Sequence, residues 1–454
     1  MERRDFLKLC SMTGLTVVAG SALSGSEAEA AEYSGTFFVN IAQMGGWDVT
    51  NICDPKGAPS AEAAAGNAPT DTMNRYLTSA IPVASNGVSW APLSQSADLA
   101  NNAAAQAQAL VFETFMEANA ERMLVINGID YQTNSHDVGA RLSVTGNAAE
   151  NTAAFGAVAA SALLPNAPMG FVGFGGYTGT GGLTAVTRLG NIDVIKRLAY
   201  PYRRDPNDPE ALYYNDAQAE MIAKAREARF NSKMGQQRLP KLRTAMNTLY
   251  LSRLGQNELK RLVDYLPEGD ALLDGIAGAV QLAAAAYKAG LCVAVSISSN
   301  AGWDHHGTVD TNIANSLGRL FDPDQGVPRA LQVLEDVEIA DKTLLSLTSD
   351  FGRTPGYNDG NGKDHWPITS NIFMGAVNGR PIKSGVKGGT DDRHQALGVN
   401  PDTGVLDESS SLTIKAGHIQ NALRRLAGIL DSEAASKQPT TESPAELENL
   451  IELT

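Results

Sequence analysis

Histidine is scarce in this 454-residue chain, with six residues: His136, His305, His306, His365, His394 and His418. Four of them, His136, His305, His306 and His365, fall in short polar runs that also hold an aspartate. The runs are TNSHDVGARLSVTGN (133–147), GWDHHG (302–307) and SDFGRTPGYNDGNGKDHWP (349–367). A further carboxylate, Asp48, follows the apolar run GTFFVNIAQMGGWD. Carboxylate oxygens mixed with imidazole nitrogens are the donors a divalent ion takes: zinc, manganese or calcium. Taken singly, each reads first as a capping aspartate or a hydrogen-bonded structural histidine. Together they read as a ligand set, because packing needs do not place so many such residues at comparable positions.

Those positions are predicted ends of strands. Apolar runs at 36–43, 122–130, 291–298, 342–349 and 371–377 alternate with helical patterns at 102–119, 275–289, 328–338 and 413–430. Alternation of this kind predicts an α/β fold with a mainly parallel sheet sandwiched by helices. In an open parallel sheet the carboxyl ends of the strands share one edge. Residues far apart in sequence can therefore converge there. Residues 205–268 break the alternation. They are helical and charged and read as an insertion. The stretch 432–454 is polar and Pro-bearing and reads as a mobile tail.

Composition narrows the function. The chain is 43% hydrophobic and 19% charged, enough for a large core. Its net charge of −14 and the lack of a basic stripe exclude a nucleic-acid-binding surface. No run in the mature chain is long and apolar enough to span a bilayer. At the N-terminus, Arg3-Arg4 precedes Phe6-Leu7-Lys8, a weakly apolar run and Ala28-x-Ala30. This order predicts a twin-arginine signal peptide over 1–31, export by the twin-arginine translocase, and work in the periplasm or outside the cell. Cys10 leaves with that signal. Cys53 and Cys292 remain, bridged or separately buried.

The blocks GWDHHG and TSDFGRTP…KDHWP resemble the signature blocks of a bacterial exported family, the domain of unknown function fifteen-oh-one. The resemblance runs from about residue 35 to 430 and is densest at 297–371. That family is grouped with the alkaline phosphatase and sulfatase superfamily. The resemblance therefore implies an alkaline-phosphatase-like domain over 32–431 with a metal site at the strand ends. By position it implies Asp48, Asp304, His306, Asp350 and His365 as metal ligands. It places Ser135-His136 where the superfamily keeps its nucleophile, so a hydroxyl or a metal-activated water is the expected attacking group. Arg353 is expected to pair with a substrate oxyanion or to fix the Gly-bearing loop. Asp364 is expected to orient His365 from behind, and His305 to support the same shell. Phe351 stands where the superfamily has a further ligand. The implied activity is hydrolysis of a small phosphate or sulfate ester. The alternative is a non-catalytic exported binding or assembly protein that keeps a structural metal. Gly356, Gly360 and Gly362 are expected to let the 349–367 loop fold tightly.

Overall fold

A computed structural model describes residues 33–454 except 67–71, 166, 168, 241, 244, 245, 247–255, 269 and 270. The expected signal peptide and part of the helical insertion lie outside the described residues. Tyr33–Thr454 is one compact unit.

A nine-stranded sheet organises this unit. Its strands are β1 (Phe37–Gln43), β2 (Met123–Asp130), β3 (Phe171–Phe174), β4 (Val186–Thr187), β5 (Ala294–Ser299), β6 (Thr343–Ser349), β9 (Ile368–Val377), β10 (Arg380–Pro381) and β11 (Gly385–Gly388). A separate two-stranded ribbon joins β7 (Gly352–Arg353) to β8 (His365–Trp366). The main order is β11-β2-β9-β6-β1-β5-β3-β4, with β10 paired to β9. β1 sits between β5 and β6 and is parallel to both, with Asn40 opposite Ser296 and Ser346. β9 is the exception, antiparallel to both β6 and β2. The fold is α/β with a mostly parallel sheet, as the alternation predicted.

Helices cover both faces. The helices used below are α1 (Ala103–Asn119), α2 (His136–Thr145), α3 (Phe155–Leu163), α4 (Ile192–Ala199), α5 (Asp216–Gln236), α6 (Gln256–Val263), α7 (Gly275–Lys288), α8 (Val309–Leu320), α9 (Val327–Asp336) and α10 (Ala416–Leu426). Local chemistry sets their starts. Asn102 caps α1 through Ala105 N, and Pro328 opens α9. Asn215 and Gln218 form a capping box on α5. One core layer joins Val39, Ile41, Val295 and Leu347 to α1, α7, α8 and α9. The opposite layer joins Phe38, Phe171, Leu344 and Phe373 to α2, α3 and α10. The central strands are buried on both faces almost throughout, although polar residues such as Asn40, Ser346 and Thr348 interrupt their apolar runs.

One expectation changes here. The stretch 432–454 is not a mobile tail. Leu447, Leu450 and Ile451 are buried in the same layer as Ile419 and Leu423. His418 Nε2 meets Glu446 at 2.9 Å, and Asn421 donates to the Glu442 carbonyl at 3.0 Å. Its polar composition hid three apolar anchors. Cys53 and Cys292 are both free and buried. No helix among the described residues is long and apolar enough to cross a membrane.

Candidate metal centre

The ends of β1, β2, β5 and β6 gather at one edge of the sheet. Because β9 runs the other way, its beginning lies at that same edge. This reversal delivers His365, three residues before β9, to the place where Asp304 and His136 arrive from β5 and β2.

Donor atoms of His136, Asp304 and His365 all lie within 4.8 Å of one another. Asp304 Oδ1 is the hub, 3.8 Å from His136 Nε2 and 3.4 Å from His365 Nε2. His306 adds a fourth donor, its Nε2 2.9 Å from Asp304 Oδ1 and 3.1 Å from His365 Nε2. Each imidazole is held from behind through Nδ1. His136 Nδ1 meets Asp350 at 2.6 Å, His306 Nδ1 meets Asp364 at 2.7 Å, and His365 Nδ1 meets the Asn134 carbonyl at 2.9 Å. An acceptor at Nδ1 puts the ring proton there and leaves a lone pair on Nε2. Lone pairs on His306 and His365 then face each other at 3.1 Å, a contact that a cation between them relieves. The separations scatter around about 3.3 Å, the ligand-to-ligand edge of a tetrahedral zinc site with bonds near 2.0–2.1 Å. The donor set fits a divalent ion.

Phe351 forms the floor. Its ring is 4.6 Å from that of His136 and 4.5 Å from that of His365, and it is fully buried. Close packing fixes the walls. A Cβ on Gly139 of α2 would lie 1.9 Å from the Asp350 carbonyl oxygen, so glycine lets His136 reach its place. A Cβ on Gly362 would lie 2.1 Å from the His306 carbonyl carbon. Gly356 faces open space and Gly360 only a moderately close contact, so the loop's demand for glycine falls on Gly362.

Several predicted roles are corrected. Asp48 is not in the ligand group. It is buried, and its carboxylate takes Thr50 N and Oγ1, Asn51 Nδ2 and, at 2.7 Å, Lys363 Nζ. Burial pushes its carboxyl up, but Lys363 and Thr50 outweigh this and hold it low. Asp350 is likewise not a ligand. Its Oδ1 accepts from Gly46 N and Ser349 Oγ, Gly45 N is shared between both oxygens, and Oδ2 meets His136 Nδ1. Its role is to aim that ring. Arg353 is not available to a substrate oxyanion. It is 1% exposed and donates to carbonyls of Gly46, Lys363, Gly45 and Trp303, and to Asp304 Oδ1 at 2.7 Å. It ties three loops together. Burial pushes the Asp304 carboxyl up, yet Arg353, His365 and His306 bring it down to about 2. Asp364 orients His306, not His365. His305 turns away to Ser316 Oγ at 3.0 Å on α8, and burial pulls its ring down to about 4. Ser135 is exposed at the start of α2 and makes no capping bond. Its neighbour His136, expected either as a catalytic group or as a ligand, is one of the three grouped donors.

Sequence reasoning missed Lys363 and Asn358. Lys363 is fully buried and bonds Asn74 Oδ1 at 2.7 Å as well as Asp48. A lysine beside Asp364-His365 gave no hint of a buried partner over three hundred residues away. Asn358 donates to the His306 carbonyl and to Asp364 Oδ1, both at 3.2 Å, and accepts from Gly360 N and Gly362 N. The Asn-x-Gly spacing was the available signal.

Residues 180–402 match the family described as "Protein of unknown function (DUF1501)". The DUF1501 match holds Asp304, His306, Asp350, Arg353, Asp364 and His365, and covers a little under half of the chain. His136 lies outside it. No curated protein matches the chain. Among solved structures, one described as Ps i-CgsB in complex with k-i-k-neocarrahexaose is 10% identical, with 87% of this chain and 72% of that chain covered and a TM-score of 0.27. The candidate sulfatase yidJ from Bacteroides fragilis is also 10% identical, with 92% and 80% covered and a TM-score of 0.27.

Proposed function

We propose that this chain is an exported metal-dependent hydrolase of small esters, with one divalent ion held by His136, Asp304, His306 and His365. One observation carries the reading: three imidazoles, each fixed through Nδ1, turn Nε2 toward one aspartate oxygen. Such a preset donor group on a solvent-facing rim is built for a metal. Asp304 is 55% exposed and His306 46%, so the centre is open on one side, as catalytic metal sites are. A bound divalent ion supplies Lewis-acid polarisation and a water ionised near neutral pH. The chain's own part is to hold the donors. Asp350 keeps the proton of His136 on Nδ1, Asp364 does the same for His306, and Arg353 keeps Asp304 ionised.

The same geometry favours a second reading. His136, where the superfamily has its nucleophile, is tied to Asp350, and Arg353 is spent on carbonyl oxygens. A non-catalytic exported binding protein with a structural metal accounts for both.

The test uses the mature chain. Elemental analysis is expected to find one divalent ion per chain, lost in His365→Ala. A panel of phosphate, sulfate and carboxylate esters is expected to show turnover that His136→Ala abolishes and Ser135→Ala leaves within a few fold. Metal bound with no turnover across the panel favours the binding protein, and no metal in the wild type overturns both readings. For export, changing Arg3 and Arg4 to lysine is expected to leave precursor in the cytoplasm, and normal export of that variant refutes the signal assignment.

A further inference from the structure

A site discriminates between substrates through its own charge and its free hydrogen-bond donors. A phosphate monoester is close to a dianion at neutral pH and presents several strong acceptor oxygens. A sulfate ester is a monoanion with as many. Sites for such groups supply net positive charge and free donors, often a guanidinium fork. An uncharged carboxylic ester asks for neither until its carbonyl oxygen gains charge in the transition state.

Donors are short at the metal centre. Among the described residues, Arg353 is the one cation bonded to the donor group, and its fork is full. Nε donates to the Gly46 carbonyl, Nη1 to that of Lys363, and Nη2 to those of Gly45 and Trp303 and to Asp304 Oδ1. The remaining Nη1 proton faces His306 Nε2 at 3.4 Å. Lys363, beside Asp364 in sequence, is fully buried on Asp48 and Asn74. Charge points the same way. Asp304, Asp350 behind His136 and Asp364 behind His306 bring three carboxylates against the one guanidinium. A divalent ion cancels the excess and leaves the group neutral. Two of the carboxylates face solvent, Asp304 at 55% exposure and Asp364 at 57%. One feature favours an anion: α2 starts at His136 without a side-chain cap, and helix starts attract negative charge. Asp137, exposed in that first turn, already answers it with a carboxylate.

Resting on the hydrolase reading of this centre, we infer that its substrate is an uncharged carboxylic ester and not a phosphate or sulfate ester. A phosphate dianion arriving from solvent meets exposed carboxylates and no free guanidinium. An acyl group meets no such penalty. In the reaction the oxygen of water bonds to the acyl carbon, the bond from that carbon to the alcohol oxygen breaks, and a proton of the water passes to that oxygen. The products are a carboxylic acid and an alcohol, and no other reactant is consumed. Once the acid ionises, Asp304, Asp364 and Asp137 repel it, which favours its departure.

The test offers para-nitrophenyl acetate, phosphate and sulfate to the zinc-loaded mature protein, and titrates inorganic phosphate into the same protein by calorimetry. The expected results are turnover of the acetate that is lost with the metal in His365→Ala, no turnover of the other two, and no phosphate binding up to about 5 mM. Asp137→Lys reverses an exposed charge beside His136 and is expected to bring phosphate binding to about 1 mM or tighter. Turnover of the phosphate or sulfate ester, or saturable phosphate binding to the parent below about 5 mM, overturns this proposal and leaves the hydrolase reading in place. So does a folded Asp137→Lys protein that still ignores phosphate, because charge is then not what excludes it. Metal bound with none of the three esters turned over removes the hydrolase reading and this proposal with it.

Discussion

The rim at 297–371 and the helical segment at 192–263 are both polar by composition and opposite in structure. On the rim almost every polar atom is committed. Arg353 alone joins Gly45, Gly46, Trp303, Asp304 and Lys363. In the helical segment, large apolar side chains face solvent: Val194 is 53% exposed, Leu198 52% and Met221 71%. The contrast teaches that charge density does not indicate surface. Where polar residues serve a site, they are paired, whether buried like Arg353 or exposed like Asp304, His306 and Asp364. Where they serve solubility, they leave even apolar neighbours uncovered.

The strongest way to break this comparison is at Lys363. Lys363→Met removes one half of a fully buried ion pair and leaves Asp48 with only Thr50 and Asn51. The expected loss is about 3–5 kcal/mol in denaturant unfolding, and a loss below about 1 kcal/mol would show that the pair is not structural. Next comes Gly139→Ala, which pushes α2 off Asp350. Overpacking there is expected to cost about 1–3 kcal/mol and to weaken metal binding about tenfold or more, since His136 moves with the helix. Calorimetric titration with zinc checks it, and unchanged affinity would mean that His136 is not a ligand.

Asp364→Asn sharpens the comparison, because Asp364 is exposed. It is expected to weaken metal binding about 10–100-fold while the melting temperature of the metal-free protein hardly moves. Then comes His305. Its folded pKa, about 4, lies below the ordinary value of 6.5. Between those values the unfolded chain binds a proton that the folded chain does not. Stability from this group is therefore full above pH 6.5, is lost as pH falls toward 4, and changes no further below that. His305→Gln is expected to flatten the melting temperature against pH over that window, and an unchanged slope would sink the assignment. Smallest of all, Val194→Ser and Met221→Ser are expected to stay within about 0.5 kcal/mol of the parent. A larger loss would show that this surface is covered in the working protein.

Much of this was legible in the sequence. The strands around Phe38, Leu124, Val295 and Leu345 announce themselves as apolar runs, and Asp304, His306 and His365 stand out in their short blocks. What stayed hidden depends on direction and distance. Alternation gave strands but not the reversal of β9, which is a matter of pairing. Asp48 looked like a ligand because it follows a strand, and only its contact with Lys363 shows otherwise. Asp350 was placed at the right edge but among the donors, whereas it stands behind His136. The C-terminal segment was misread because Leu447, Leu450 and Ile451 are few among many polar residues. Composition averages over the few side chains that do the anchoring.

The reversal of β9 has one more consequence. β6 ends and β9 begins at the same edge, so the chain between them leaves the sheet and returns to it without crossing the molecule. The β7–β8 ribbon closes this excursion at its neck, and Asn358 and Gly362 brace its tip against His306. Arg353, Asp364 and His365 thus travel as one cassette. Changes in loop length at Gly356, which faces open space, would alter what the centre meets from outside without shifting a single strand register.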